Sequence, residues 1–328
     1  MAKSRRRLWR RAINLAVNSD PTASAAGIFR LLLDGARAGR RGVLATITGL
    51  TGTGARAVGT HMSVLENGES AGSFSSGCVE TAIVAEAREV LADGRPRSVR
   101  FGQGSPYIDI RLPCGGGMDV LFLPDPPMAL LERVDGFFSS RTPFTLRVGQ
   151  ENGVIAEPGI IGGGAGDFVI RHAPRLKLIL LGHGAEMLAG LRMASVYGAE
   201  ASVVSPEAEI VAQAAAAGTK TILLASPSAR VELDADAWTA MLFLFHDHEW
   251  EPALIAQALE SPAFWIGAMG SRTTQAARRA ALAAHGLNEA AIARVQGPVG
   301  LIPSARDPAT LALSAFAEIV GAYRAALP

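Results

Sequence analysis

The chain has 328 residues, 49% of them hydrophobic, with 31 Lys+Arg against 30 Asp+Glu and a formal charge of +1. That length suits two domains with separate cores, and the near-neutral balance argues against nucleic acid or an anionic membrane as partner. Two cysteines do not build a disulfide framework, so a reducing cytoplasm is expected.

The basic start MAKSRRRLWRR resembles a twin-arginine export pattern. INLAV is too short, and NSDPT too soon polar, for the apolar region of a signal peptide, so a solvated basic segment is expected. No apolar run approaches the length of a membrane span.

SAAGIFRLLLDGARAGR reads as a helix capped by Ser24, and VLATITGL as a strand rich in β-branched residues. GTGAR reads as a loop, THMSVLENGESAGSFS as a hairpin around Asn-Gly, and the segment from Glu80 as a helix. SVRFG, YIDIRL and MDVLFLP follow as short strands. These elements predict a mixed α+β domain over residues 1–125. Residues 126–174 read as a bridging segment: a helix in MALLERVDGFF, a hairpin of FTLRVG and GVIAE around Glu151-Asn152, and a glycine-rich loop. GGGAG in that loop lacks the Gly-Lys-Ser/Thr ending of a P-loop.

Residues 175–328 alternate strand and helix. LKLILLG is a continuous apolar run, as in a parallel strand buried on both faces; ASVVSP, TKTILLAS, AMLFLFHDH and FWIGAMGS repeat the pattern. The expected fold is a Rossmann-like doubly wound parallel sheet, with ligands at the carboxyl ends of the strands. At the first end stand Gly182, His183 and Gly184. They supply the first two glycines of a dinucleotide fingerprint, but the third position is Met187, and Ser205 stands where a ribose-binding acid is expected. Glu207 reaches that place only by a shift of register. NAD(P) binding is an open alternative on this pattern.

Later ends carry His246, Asp247 and His248, where imidazole and carboxylate would face the crevice. Asp247 also reads as a helix cap, and zinc is the weaker alternative because no third ligand declares itself. Gly270, Ser271 and Arg272 offer backbone donors, a hydroxyl and a guanidinium suited to an oxyanion, or equally a capped helix start.

In order along the chain, VLATITGLTGTGARAVGTHM, GSFSSGCVE, LPCGGGMDVLFLP, LLGHGAE, FHDHEWEPALIAQAL, FWIGAMGSRTTQAARRAAL and GPVGLIPSARDPATLALSAFAEIVGA resemble the XdhC/CoxI family of maturation factors for molybdenum hydroxylases. The resemblance implies an accessory protein, not an oxidising enzyme. Such a protein binds the molybdenum cofactor (molybdopterin), supports its sulfuration and delivers it to a xanthine dehydrogenase-type client, with a sulfurtransferase as a further partner and a homodimer left open. An NAD(P)-dependent oxidoreductase is the principal rival.

The same resemblance selects Cys78 and Cys114 as cofactor and metal ligands. A thiolate is a soft ligand suited to molybdenum or transferable sulfur, and a helix start favours the anion. Arg56 matches an arginine of the family's Gly-Ser-Ala-Pro-Arg-like loop and would hold a cofactor phosphate or shape the loop. Glu80, in the Cys-Val-Glu pattern, would cap the helix or orient a ligand. Where the family usually has a histidine after the second glycine, this chain has Ala185, and a histidine stands at His183 instead.

Overall fold

The computed structural model describes residues 19–20, 24–52, 56–75, 79–105, 115–149, 153–159 and 168–327. The basic start, the YIDIRL strand, the Glu151-Asn152 turn, the GGGAG loop, Cys78 and Cys114 lie outside the described residues. The chain divides into two units, Met1–Ala173 and Pro174–Pro328.

In the first unit a six-stranded sheet has the order β1-β4-β3-β2-β6-β5. Its strands are β1 (Ser19–Asp20), β2 (Gly42–Thr51), β3 (His61–Leu65), β4 (Ser70–Ala71), β5 (Arg97–Gly102) and β6 (Gly117–Pro124). All pair antiparallel except β1 with β4. The period of two along β2 decides what each face buries. Val43, Ala45 and Ile47 pack with Ile83, Ala87 and Val90 of helix α2 (Glu80–Asp93), whereas Leu44 joins Phe29 and Leu33 of helix α1 (Ala25–Arg37). Helix α1 starts at Ser24, whose hydroxyl accepts the Gly27 N–H at 3.3 Å.

Residues read from sequence as a bridging segment form helix α3 (Met128–Ser139) and a three-stranded antiparallel sheet, order β8-β7-β9. Its strands are β7 (Phe144–Gly149), β8 (Gly153–Pro158) and β9 (Phe168–His172). Phe144, Leu146 and Val148 share the core of α1 and α3, so this segment lies within the first unit.

The second unit carries six parallel strands in the order β12-β11-β10-β13-β14-β15. They are β10 (Lys177–Gly182), β11 (Glu200–Ser205), β12 (Lys220–Leu223), β13 (Thr239–Leu244), β14 (Trp265–Ala268) and β15 (Val295–Gln296). Counted from β10 this is the 3-2-1-4-5-6 order of dinucleotide-binding folds, with its switch point between β10 and β13. Between the strands lie α4 (Ala185–Tyr197), α5 (Ala208–Ala216), α6 (Glu251–Glu260), α7 (Arg272–Ala284) and α8 (Glu289–Ile292); α9 (Pro308–Ala326) follows β15. Leu178 and Leu180 pack with Phe316 and Ile319 of α9. Ile179 and Leu181 pack with Leu254 and Ile255 of α6. Both faces of β10 are thus covered, which is why its sequence is apolar without alternation.

Candidate functional site

In the first unit, β2, β5 and β6 meet at one end of the sheet, where Thr51 and Gly102 both pair with Gly117. The segments bearing Arg56 and Cys114 therefore join the sheet at the same end. Arg100 ties that end together: its guanidinium donates to Asp119 at 2.8 and 3.0 Å, to the Thr51 hydroxyl at 2.7 Å and to the Gln103 carbonyl at 2.7 Å. Arg56 itself is exposed.

Glu80 opens helix α2 and is buried, with 9% of its surface exposed. One carboxylate oxygen accepts from the Ser73 hydroxyl at 2.7 Å, the Phe74 N–H at 3.2 Å and the Ser75 N–H at 2.7 Å. The other accepts from the Ser75 hydroxyl at 2.8 Å and the Val79 N–H at 3.2 Å. Burial raises the pKa of such a group, but the bonds from Ser73 and Ser75 outweigh it and hold the carboxyl below its usual range. β4 ends at Ala71, Gly72 turns out of the strand at φ +92°, and Phe74 and Ser75 beyond it send their N–H groups to Glu80. The segment framed by this carboxylate, between Ser75 and Val79, is the one that bears Cys78.

Beside this sheet, His61 and His172 meet Nε2 to Nε2 at 3.4 Å, and Thr46 Oγ1 lies 2.9 Å from His61 Nδ1. Phe144 stacks on His172 at 4.7 Å, and Phe29 and Phe138 meet it edge-on. Burial, followed by the neighbouring His172, holds His61 well below the usual histidine pKa, and burial lowers His172 to about 4. The head-to-head bond needs one ring to donate and the other to accept, which excludes only the doubly protonated pair; burial is what keeps both rings neutral.

At the switch point of the second unit, Gly182 leaves β10 where a Cβ would stand 2.5 Å from the Leu244 carbonyl oxygen, and Gly184 takes φ +83° as the N-cap of α4. His183 Nε2 accepts the His246 N–H at 3.0 Å, so the two rings stand together at the strand ends, 5.5 Å between centroids. His246 Nε2 lies 3.5 Å from Glu186. The Gly184 N–H donates to the Glu207 carboxylate at 3.1 Å, and the Glu207 N–H donates to the Ser205 hydroxyl at 3.1 Å.

Asp247 acts as a cap, its carboxylate accepting the Glu249 N–H at 3.1 Å at the short 3-10 turn His248–Trp250. Ser271 is likewise the N-cap of α7, accepting the Thr274 N–H at 3.1 Å, while Arg272 is exposed on the first residue of that helix. Gly270 precedes the cap at φ +140°. Among the described residues no group of three or more His, Cys, Asp and Glu is arranged to hold a metal ion.

Sequence reasoning missed the polar network behind this crevice. Arg278 and Glu251, both buried, pair at 2.8 and 3.0 Å; Arg278 also donates to the Met269 carbonyl at 2.6 Å and to Gln275 at 2.5 Å. His248 Nδ1 lies 3.3 Å from Glu251. The loops after β13 and β14 are thereby joined. The local signal was weak, since Glu251 opens an ordinary helix pattern and Arg278 sits in the arginine pair of QAARRAAL. The His61–His172 pair was missed because 111 residues separate its members.

A two-unit chain whose second unit carries a six-stranded parallel sheet in Rossmann order, and whose first unit brings the ends of β2, β5 and β6 together, defines the class of protein. Family models agree with both halves: the XdhC Rossmann domain matches residues 178–319, and the XdhC and CoxI family matches residues 36–102. The chain is 32% identical over 299 residues to the molybdenum cofactor insertion chaperone PaoD of Escherichia coli (strain K12), covering 89% of this chain and 86% of the relative. The uncharacterized protein YqeB of the same organism is 29% identical over 209 residues, 63% of this chain and 37% of that protein. A crystal structure described as a xanthine dehydrogenase from Bacillus halodurans shares the fold, with TM-score 0.70 and 21% identity over 91% of this chain and 96% of that one. The chain belongs to the XdhC and CoxI family.

Proposed function

We propose that the chain is a molybdenum hydroxylase maturation factor. It takes the molybdenum cofactor as cargo, supports its sulfuration and inserts it into a client enzyme of the xanthine dehydrogenase type. The observation that carries this reading is the sheet end where β2, β5 and β6 meet, from which the segments bearing Arg56 and Cys114 depart, together with the carboxylate frame around the segment bearing Cys78. The likeness to a molybdenum cofactor insertion chaperone supports the choice of cargo.

In this reading Cys78 and Cys114 are the soft ligands for molybdenum or sulfur, Arg56 meets the cofactor phosphate, and Glu80 holds Ser75 and Val79 on either side of the Cys78 segment. In the second unit, the Gly270–Ser271–Arg272 turn offers Arg272 as an exposed cation at the start of α7, with Ser271 as the cap that fixes that start. The two histidines His183 and His246 and the cap Asp247 line the other strand ends. No step of oxidation is assigned to the chain, and a sulfurtransferase supplies the sulfur. The setting is the cytoplasm; no described helix is long and apolar enough to cross a membrane. A second copy of the chain is the remaining partner, checked by its mass in solution.

The test is to load the purified chain with molybdopterin-type cofactor and measure the molybdenum and pterin retained after gel filtration. Cys78→Ala and Cys114→Ala should each lose most of the retained cofactor. Retention by the double variant equal to that of the parent would remove the cysteines, and with them this reading of the first unit.

A further inference from the structure

The glycine turn of the second unit has the backbone of a phosphate site, but a carboxylate of the chain itself already holds it. In a dinucleotide-binding fold the N–H groups at the start of the first helix face a diphosphate. Here the Gly184 N–H, at the N-cap of the 13-residue helix α4, donates to Glu207 Oε2 at 3.1 Å. The contact follows from the end of β11. Buried Ser205 accepts the Glu207 N–H on its hydroxyl, and this turn sets residue 207 beside the end of the neighbouring strand β10. A second carboxylate stands close by. Glu186 Oε2, in the first turn of α4, lies 3.0 Å from where a Cβ of Gly184 would be and 3.5 Å from His246 Nε2.

We propose that Glu207 is a specificity-determining residue that closes the glycine turn to diphosphate-bearing nucleotides. Its carboxylate takes the hydrogen bond that a phosphate oxygen would accept, and with Glu186 it sets like charge against an incoming diphosphate. The crevice keeps the Rossmann backbone and refuses the Rossmann ligand. The fingerprint departures at Met187 and Ser205 belong to the same arrangement: Ser205 has become the acceptor that aims Glu207, instead of the acid that binds ribose. The inference concerns this turn only and stands whether or not the chain carries molybdenum cofactor.

Calorimetric titration of the full chain with ADP, and separately with inorganic pyrophosphate, tests it. Both are run at low salt in an Arg272→Ala background, so that the other anion-suited turn does not contribute. Glu207→Ala should tighten both ligands about tenfold, and Glu207→Gln, which keeps an acceptor oxygen but loses the charge, should give a smaller gain of at least about threefold. Glu207 is exposed, so thermal unfolding should show both variants folded as the parent is. A change under threefold in Glu207→Ala, or no detectable binding by parent and variant alike, overturns the proposal by placing the barrier elsewhere. Weaker ADP binding in Glu207→Ala also overturns it, because Glu207 would then be holding ligand hydroxyls.

Discussion

Ser75 gives both of its donors to one side chain: its N–H reaches Glu80 at 2.7 Å and its hydroxyl reaches the same carboxylate at 2.8 Å. A helix usually finds its cap in the residue before it. Helix α2 instead uses its first residue, Glu80, to reach back and hold the chain that leads into it. Because hydrogen bonds to a charged group are worth about 1.5–3 kcal/mol, and several act here at once, Glu80→Ala should destabilise the first unit by roughly 2–4 kcal/mol. Urea unfolding followed by circular dichroism measures this, and a loss under about 1 kcal/mol would mean the frame is not held by Glu80.

The same carboxylate gives a pH dependence of known sign. Its pKa is lowered in the folded chain, so its contribution is present above the unfolded value and is lost as pH falls through the folded one. Glu80→Gln should remove that acid-side dependence while lowering stability at neutral pH, seen as a flatter plot of unfolding free energy against pH below about 4.5.

His61 and His172 act in a higher window. Both are held neutral by burial, His172 at about 4, whereas in the unfolded chain each titrates near its ordinary value. The unfolded state therefore binds more protons below about pH 6.5, and stability is full above that point and falls towards pH 4 by about 1.4 kcal/mol per pH unit for each histidine. Replacing His172 by Phe, which keeps the stack on Phe144, should reduce this slope. An unchanged slope between pH 6 and 4 in the variant would show that the pair is not the titrating element.

The buried pair Arg278–Glu251 should behave asymmetrically. Removing one partner leaves a charge unpaired in the core, so Arg278→Ala or Glu251→Ala should cost about 3–5 kcal/mol, and Arg278→Met with Glu251→Leu together should cost less than either. Denaturant unfolding of the three variants decides it; additive losses would show the two side chains to be independent.

At the start of α7, neighbouring residues should separate stability from binding. Ser271→Ala loses a cap and about 1 kcal/mol, whereas Arg272→Ala, at an exposed position, should stay within about 0.5 kcal/mol of the parent. On the proposed function, Arg272→Ala should nonetheless retain less molybdenum cofactor, read as pterin content after gel filtration. Unchanged retention would leave the second unit without a part in holding the cargo.

The sequence alone determined the Rossmann half and most of the first sheet, because their signals are local. A strand buried on both faces must be apolar throughout, as in LKLILLG, and Ser24 and Ser271 can be read as caps because a cap bonds within three residues. The ordered motifs likewise placed the chain in its family. Only the tertiary structure decided which polar groups meet. Residues 126–174 read as a bridging segment of helix, hairpin and loop; that Phe144, Leu146 and Val148 enter the core of α1 and α3 is visible only in the fold. His61 finds His172 across 111 residues, and Arg278 finds Glu251 across 27. Glu207 lies 23 residues from Gly184, and no periodicity connects them; the parallel pairing of β10 with β11 sets their ends side by side and lets a carboxylate reach a glycine N–H. Hydrophobic pattern records how each segment is buried, whereas a hydrogen bond between segments depends on register and strand order, which exist only once the sheet has formed.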